Sequence, residues 1–341
     1  MKYKLSAILM ASVLATTMLF ASCSEKSSGQ PSKDTTVETN AKGEETVTIG
    51  ALEKADNGLQ FRLYTEKSGD RYYAVVGLGT YAEKTVIIPD SFRDLPVKLV
   101  ADGAFDNSDK ITEVVIPDSV VTLGERAFGD CNELKTVTIG NGVQTVGGKA
   151  FFTCNQLTTV NFGTSVESIG YEAFYGCSAL KELTLPQNLS VIGEHAFWRC
   201  YSLEKIQIFD GLTSIGRDAF YACSALKPTE QDGAYYLGNN DNPYLMLISV
   251  KDKSVAEYTV HSNVKYVGQT VLSNCEALTK VTLPAGVTVL AEGALQHCEK
   301  LVNIQFQGTC EDWNNVSKGY LWDYETGNYT VTCSDGTVAK A

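Results

Sequence analysis

Phenylalanine recurs in the central part of the chain at a constant interval of 23 residues, and the positions around it repeat with it. An alanine precedes each of these phenylalanines, and a cysteine follows three residues later except in the first copy, which has Ser108. The phenylalanines are Phe105, Phe128, Phe151, Phe174, Phe197 and Phe220. A fixed period of this length is typical of a stack of small identical units.

Apolar and polar residues alternate in a short stretch that begins nine residues after each phenylalanine, as in Val114 with Ile116. A period of two is typical of a strand with one buried face. A second apolar pair, such as Val143 with Val146, follows in each copy. A single coil cannot bury its own apolar face, so the copies must stack. The sequence predicts a β-rich repeat solenoid with short helical turns and a continuous parallel sheet along one face.

The repeat is interrupted once and then resumes. Leu272 and Leu295 restore the 23-residue frame, so that eight copies are visible in a solenoid assigned to residues 101–308. The interruption, at about residues 228–256, contains the turn-rich segment Tyr235–Tyr244, which predicts a hairpin. We interpret this insert as a structural elaboration of the solenoid; the alternative is a binding loop.

The segments on either side of the solenoid depart from the repeat. Residues 47–100 contain strand-like runs bounded by turn residues. They are predicted to form an N-terminal cap, because an open solenoid exposes an unpaired strand edge. Residues 309–341 are assigned to a C-terminal cap. Within it, Cys310 and Cys333 are candidates for a disulfide, the alternative being two free thiols.

The N-terminus has the features of a bacterial export signal. Two lysines precede an apolar run in residues 1–22. The run ends in the letters FASC, which resemble a lipobox and make Cys23 the predicted site of lipidation. The alternative is an ordinary secretory signal that leaves Cys23 as a free thiol. Residues 23–46 are polar and predict a disordered tether, so the N-terminal lipid would be the only contact with the membrane.

Charge and residue spacing exclude several classes of function. The formal net charge of −12 repels phosphate backbones, so nucleic acid is not an expected partner. Seven cysteines share one slot of the repeat and form no C-x-x-C pair, which favours buried thiols over metal ligands or disulfides. His195, His261 and His297 occupy different repeat contexts and form no recognisable triad. The sequence therefore predicts no catalytic site, no metal site and no cofactor.

The pattern L-x-x-V-x-I-P followed by V-x-x-I-G-x-x-A-F-x-x-C, as in residues 111–131 and 180–200, resembles the BspA-like bacterial leucine-rich repeats. The segment Gly238–Tyr244 and the ending from Gly308 to Gly336 are similar to the same family, so the resemblance covers about residues 72–335. It implies a curved right-handed solenoid on a surface-exposed bacterial protein. Some members of that family adhere to host extracellular-matrix proteins or to other bacteria. The resemblance implies no enzymatic activity and no fixed ligand residues.

Two surfaces are candidates for ligand binding. The outward residues of the predicted strands form a polar stripe that includes Thr136, Thr138, Thr159, Asn161, Glu182, Thr184, Lys205 and Gln207. The alternative is that threonine occurs there because exposed strand positions favour it. The residue after the repeat phenylalanine is aromatic in four consecutive coils, as Phe152, Tyr175, Trp198 and Tyr221. These rings would serve as a stacking platform for sugars or as a contact strip for a protein. The alternative is that they stack on one another to cover the side of the solenoid.

Taken together, the sequence predicts a non-enzymatic, monomeric, lipid-anchored protein of the bacterial cell surface. Its solenoid face would recognise an extracellular host protein, another cell surface or a glycan, with a protein expected ahead of a glycan. One alternative is an accessory hydrolase or glycan-processing lipoprotein. Another is a structural spacer of the cell envelope with no host ligand.

Overall fold

The computed structural model describes residues 36–39 and 45–340, which consist almost entirely of strands and turns. The predicted export signal at residues 1–22 and the predicted lipidation site Cys23 lie outside the described residues. Within the described part of the chain, no helix has the length and apolar character needed to cross a bilayer. Strands are numbered below in chain order.

The first row of strands follows the alternating stretch of each copy. These strands are β8 (Glu113–Ile116), β10 (Thr136–Ile139), β12 (Thr159–Asn161), β14 (Glu182–Thr184), β16 (Lys205–Gln207), β21 (Glu257–Thr259), β23 (Lys280–Leu283), β25 (Asn303–Phe306) and β27 (Thr330–Thr332). Neighbours pair in parallel one repeat apart, as Val114 with Val137 and Val137 with Val160. This pairing confirms the predicted solenoid of 23-residue coils with parallel strands.

The second row of strands comes from the second apolar pair of each copy. These strands are β9 (Thr122–Leu123), β11 (Thr145–Val146), β13 (Ser168–Ile169), β15 (Val191–Ile192), β17 (Ser214–Ile215), β22 (Tyr266–Val267), β24 (Val289–Leu290) and β26 (Ser317–Lys318). They run in parallel from β9 to β17 and, after the insert, from β22 to β26. Each coil therefore contributes one strand to each side of the core.

The core between the two rows contains a column of repeat phenylalanines. Rings from Phe105 to Phe220 stack with centroids 4.9–5.5 Å apart. Phe128, Phe151 and Phe174 expose none of their surface. Since each ring contacts the ring above and the ring below, burial of this column depends on the stack and is not available to an isolated coil.

Each coil turns at two residues with left-handed backbone conformation, placed two positions before and two positions after the repeat phenylalanine. Most are not glycine, as with His195 (φ 55°) and Arg199 (φ 61°) around Phe197. Hydrogen bonds between coils hold this turn, and Phe197 N–H donates to the Ala219 carbonyl at 2.8 Å. The same pair recurs around Asp323, within the segment that the sequence assigns to the C-terminal cap.

The sheet formed by the first row is divided, contrary to the prediction of a continuous sheet. It consists of three separate sheets, one ending at β12, one of β14 with β16, and one beginning at β21. The first break coincides with Phe162, which replaces an aliphatic residue and packs edge-on against Phe174 at 5.9 Å. The second break coincides with the insert, because the chain leaves the repeat after β16.

The remaining elements lie at the two ends and in the insert. The N-terminal elements are β1 (Thr36–Thr39), β2 (Glu45–Lys54), β3 (Gln60–Glu66), β4 (Arg71–Gly77), β5 (Thr85–Ile87), β6 (Ser91–Phe92) and β7 (Leu95–Val100). The insert contains the antiparallel strands β18 (Thr229–Gln231), β19 (Ala234–Leu237) and β20 (Met246–Val250). The C-terminal elements are α1 (Cys310–Asn315) and β28 (Thr337–Ala339). The antiparallel strands β1 to β4 join the second row because β4 pairs in parallel with β7, and β7 pairs with β9.

Candidate ligand-binding surfaces

The aromatic residues that follow the repeat phenylalanine lie side by side on successive coils and form the aromatic row (Phe152, Tyr175, Trp198 and Tyr221). The ring centroids of Phe152 and Tyr175 are 5.0 Å apart, with 18° between the ring planes. Tyr175 and Trp198 are 6.3 Å apart at 25°, and Trp198 and Tyr221 are 4.7 Å apart at 49°. The structure therefore brings these four predicted residues together.

Stacking within the aromatic row occupies the faces of the inner rings. Phe152, Tyr175 and Trp198 are half-buried, whereas Tyr221 at the end of the row exposes 58% of its surface. The Trp198 Nε1 atom is buried and has no hydrogen-bond partner among the described residues. Because a sugar stacks on a free aromatic face, the inner rings offer mainly their edges to a ligand. This geometry favours a covering role for the inner part of the row.

A row of ionisable side chains lies at the left-handed position two residues before the repeat phenylalanine. The Lys149 Nζ atom is 3.5 Å from Glu172, whose carboxylate is 3.9 Å from His195 Nδ1. The other ring nitrogen of His195 is 3.8 Å from Asp218. The His195 ring also meets Trp198 edge-on at 4.4 Å. Such partly exposed pairs contribute little stability, about 1 kcal/mol or less each.

The predicted polar stripe is divided into two patches by the break between β12 and β14. Thr136 pairs with Thr159 and Thr138 with Asn161 in the first patch. In the second patch, Glu182 lies opposite Lys205 and Thr184 lies opposite Gln207 in the register of the parallel strands. The stripe is therefore not one uniform face, and its two halves have different surroundings.

A groove of about 530 Å³, here called the interruption groove, lies where β16 meets the insert. Glu182, Lys205 and Gln207 from the second patch line it, together with Asn239 and Asn240 from the insert. No residue of the aromatic row is among its lining residues. Its volume is within the range of small-ligand sites, about 300–1,000 Å³. Three predicted stripe residues and the insert thus meet in one concave site.

Hydrogen bonds hold the tip of the insert against the end of β16. The Asn239 side-chain amide donates to the Ile208 carbonyl at 2.8 Å, and Ile208 N–H donates to the Gly238 carbonyl at 3.1 Å. The Asn239 side-chain oxygen accepts from the backbone N–H groups of Asp241 and Asn242, each at 2.9 Å. A Cβ atom on Gly238 would lie 2.0 Å from the Asn242 carbonyl oxygen. The tip is therefore a fixed wall of the groove.

Sequence reasoning named this turn-rich segment but not Asn239 or Asn240 as site residues. Asn239 and Asn240 line the groove together with residues of β16, and this proximity depends on how the coils stack. The repeated Asn, Asp and Pro of the tip indicated a turn, which is the one feature of the sequence that pointed to this wall.

The charged groups of the interruption groove differ in their partners. The Lys227 ammonium donates a hydrogen bond to the Glu204 carboxylate and lowers the pKa of Glu204, so Glu204 is ionised at neutral pH. The side chains of Glu182, Lys205 and Gln207 make no hydrogen bond or ion pair with other described residues. Polar groups with unused hydrogen-bonding capacity that converge on a concave surface are characteristic of ligand sites.

The cysteines of the repeat form a buried column of thiols. Each sulfhydryl of Cys131, Cys154, Cys177, Cys200 and Cys223 donates to the carbonyl of the phenylalanine 26 residues earlier, at 3.1–3.3 Å. Burial raises the pKa of each of these thiols. The thiols therefore satisfy turn carbonyls in addition to filling space.

Cys310 and Cys333 lie outside this column. Both are free thiols in the structure, and their sulfurs are within 4.8 Å of each other. A disulfide between them stays a prediction.

Several solved structures are similar to this chain. A leucine-rich repeat protein from Bacteroides ovatus is 24% identical, with 79% of each chain covered and a TM-score of 0.48. The T. pallidum leucine-rich repeat protein is 24% identical over 51% of this chain and 91% of that one, with a TM-score of 0.45. A leucine-rich cell surface protein from Faecalibacterium prausnitzii is 20% identical over 78% of this chain and 97% of that one, with a TM-score of 0.42. No curated protein matches the chain.

The repeat itself matches a family model. The model for the BspA-type leucine-rich repeat region matches residues 98–227 and 250–317 in six copies, which is more than half of the chain. The two matched ranges flank the insert that carries one wall of the interruption groove. The chain belongs to the BspA-type leucine-rich repeat family, a family of bacterial surface proteins.

Proposed function

We propose that this protein is an adhesin-like binding protein of the bacterial surface, which recognises an extracellular protein through the interruption groove. The observation that carries this proposal is the meeting of unpartnered polar side chains with a rigid insert wall in one groove of about 530 Å³. The groove lies where the insert interrupts the repeat, so its lining differs from that of the other coils.

The chemistry of the groove favours a protein segment over a sugar. Lys205 and Glu182 supply charges of both signs, and Gln207 and Asn240 supply amides that pair with peptide groups. The lining contains one aromatic residue, Tyr236, which exposes only 2% of its surface and presents no ring face. Sugar recognition commonly uses an open aromatic face, which this groove lacks.

One feature of the groove argues against Glu204 as the acid of a glycoside hydrolase. Glu182 and Glu204 both line it, and a pair of carboxyl groups is the usual equipment of a glycoside hydrolase. Such an enzyme needs one carboxyl with a raised pKa as proton donor. The hydrogen bond from Lys227 lowers the pKa of Glu204 instead, so Glu204 is poorly suited to donate a proton.

Surface placement completes the proposal. The letters FASC, which end in Cys23, support export and lipid anchoring. Part of the predicted tether at residues 23–46 is strand in the structure, as β1 (Thr36–Thr39) and the start of β2 at Glu45, so any tether that holds the solenoid away from the membrane is shorter than predicted. Electrophoretic mobility and mass of the native protein, with and without Cys23→Ala, would test the lipid. Loss of the lipid mass in the variant is expected, and an unchanged mass would contradict lipidation at Cys23.

Binding is tested by pull-down with the purified protein against a panel of extracellular-matrix proteins and polysaccharides. The Lys205→Ala/Gln207→Ala variant removes one charge and one amide from the groove and should weaken capture at least tenfold, about 1.4 kcal/mol. The matched control is Thr136→Ala/Thr138→Ala, at the equivalent positions of β10 outside the groove. Equal capture by all three proteins would contradict the proposal. Protease or periodate treatment of the captured material distinguishes a protein from a glycan.

A further inference from the structure

Three metal-ligating side chains meet at the C-terminal end of the solenoid. Cys310 is the first residue of α1, Cys333 follows β27, and Asp335 lies in the turn before β28. The two sulfurs and a carboxylate oxygen of Asp335 all lie within 4.8 Å of one another. Among the described residues, this is the one group of three or more cysteine, histidine or acidic side chains with such spacing.

The backbone on both sides of the cluster is restrained. Cys310 N–H donates to the Asp335 carboxylate at 2.8 Å, which ties the helix to the turn. Ser334 N–H donates to the Gly308 carbonyl at 2.9 Å, and Cys333 N–H donates to the Gly336 carbonyl at 2.9 Å. The donor atoms are therefore carried by segments that are already fixed relative to each other, which lowers the entropy cost of bringing them onto one ion.

These two thiols differ from those of the cysteine column. In the column each sulfhydryl donates to a backbone carbonyl of the preceding coil, whereas Cys310 and Cys333 face each other and a carboxylate. Asp335 is exposed and Cys310 is half-buried, so an ion has access from solvent. The structural role that explains the column does not explain this pair.

The donor set fits a tetrahedral, borderline-soft divalent cation. Two thiolates 2.3 Å from Zn²⁺ in tetrahedral geometry are about 3.8 Å apart, and a thiolate and a carboxylate oxygen are about 3.5 Å apart. The observed separations of at most 4.8 Å are close to these values. Thiolate ligands favour Zn²⁺ over Mg²⁺ or Ca²⁺, which prefer oxygen.

We infer that Cys310, Cys333 and Asp335 bind Zn²⁺, with water as the fourth ligand. The ion would join α1 to the β27–β28 hairpin, which forms the edge of the last sheet. Bound there, the ion would tie the helix to the strands and stabilise this part of the structure.

The inference is tested on the full chain, reduced with a phosphine and freed of metal by a chelator. Titration with Zn²⁺ should show one ion bound per molecule and a higher unfolding temperature. Titration with Co²⁺ should produce the thiolate-to-metal charge-transfer absorption expected for two cysteine ligands. Asp335→Asn and Cys310→Ser should each weaken binding at least tenfold, whereas the exposed control Asp241→Asn should bind like the parent protein.

Asp335→Asn separates a metal site from a disulfide, because a disulfide does not need the carboxylate. Circular dichroism of each variant without metal shows whether it is folded, so loss of binding by a folded variant supports the site. Absence of Zn²⁺ uptake by the reduced parent protein would overturn the inference. So would unchanged binding by Asp335→Asn, or a disulfide between Cys310 and Cys333 in protein isolated from cells.

Discussion

Raising the pH above 9 is predicted to destabilise the solenoid through its column of buried thiols. Cys131, Cys154, Cys177, Cys200 and Cys223 are buried and donate their hydrogens to backbone carbonyls. Ionising one of them would place a negative charge beside a carbonyl oxygen in an apolar environment, and such a charge is costly. The folded state therefore keeps the thiols protonated at pH values where the unfolded chain loses their protons.

The size of the effect follows from the pKa difference between the two states. Burial raises the pKa of Cys131 and of Cys223 from the ordinary value of 9.0 to about 12, and it raises those of the three inner thiols well above 9.0. A raised folded-state pKa means that stability is complete below pH 9 and falls as the pH rises from 9 toward 12. At pH 10, about one unit above the pKa of the unfolded chain, each thiol that stays protonated in the folded state costs roughly 1 kcal/mol, so five cost on the order of 5 kcal/mol or somewhat more. That loss is of the same order as the whole stability of a typical domain, about 5–15 kcal/mol.

Urea unfolding at pH 8 and pH 10, under a reducing agent, measures this loss. The double variant Cys154→Ala/Cys177→Ala should be less stable than the parent at pH 8, because two carbonyls lose their donors. Between pH 8 and pH 10 its free energy of unfolding should fall by roughly 2–3 kcal/mol less than that of the parent, since it has two fewer thiols to ionise. Tyrosine ionisation affects both proteins alike and cancels in the comparison. An identical pH dependence of the two proteins would refute the account of the column.

Three further predictions concern named positions. Phe174→Ala should lower the free energy of unfolding by about 3–5 kcal/mol in urea, because the ring is fully buried and stacked on both sides. Gly238→Ala should displace the insert tip and weaken ligand capture at least tenfold by pull-down, since the new Cβ would lie 2.0 Å from the Asn242 carbonyl oxygen. Tyr175→Ala should lower the thermal midpoint more than Tyr221→Ala, because Tyr175 stacks on two neighbours and Tyr221 on one; equal shifts would contradict the stacking account.

The spacing of the sequence was sufficient to predict the coil, its two strands and the stacking of the coils. Because the interval from Phe128 to Phe151 is fixed, equivalent residues of successive coils lie above one another. The burial and the strand position of a residue in one copy therefore predict those of the equivalent residue in the next copy. The parallel registers between β8, β10 and β12 confirm this part of the prediction.

Features that depend on departures from the repeat were not predictable in the same way. The break after β12 coincides with Phe162, whose ring packs edge-on against Phe174, and the repeat pattern does not show such packing. Residues other than glycine, such as Glu172 and His195, occupy the left-handed turn positions. Hydrogen bonds between coils hold this conformation, which residue types alone would not predict. The interruption groove arises where the insert folds back on β16, and a repeat pattern contains no information about that contact.

The aromatic row shows where a pattern is compatible with two roles. Its spacing predicted a row equally well for a ligand platform and for a self-packed side wall. Ring planes 18° apart at 5.0 Å between Phe152 and Tyr175 indicate packing between the rings. The orientation of the rings, which the sequence does not contain, favours the covering role for the inner rings, and a ligand-binding role of the row stays a prediction.

The central claim is that the interruption groove binds an extracellular protein. Hydrogen–deuterium exchange of the purified protein, alone and saturated with the captured partner, tests it most directly. Slower exchange is expected in residues 205–207 of β16 and in residues 238–242 of the insert tip, with little change in the turns that carry Trp198 and Tyr221. Protection confined to those turns, or no protection at the groove, would contradict the claim.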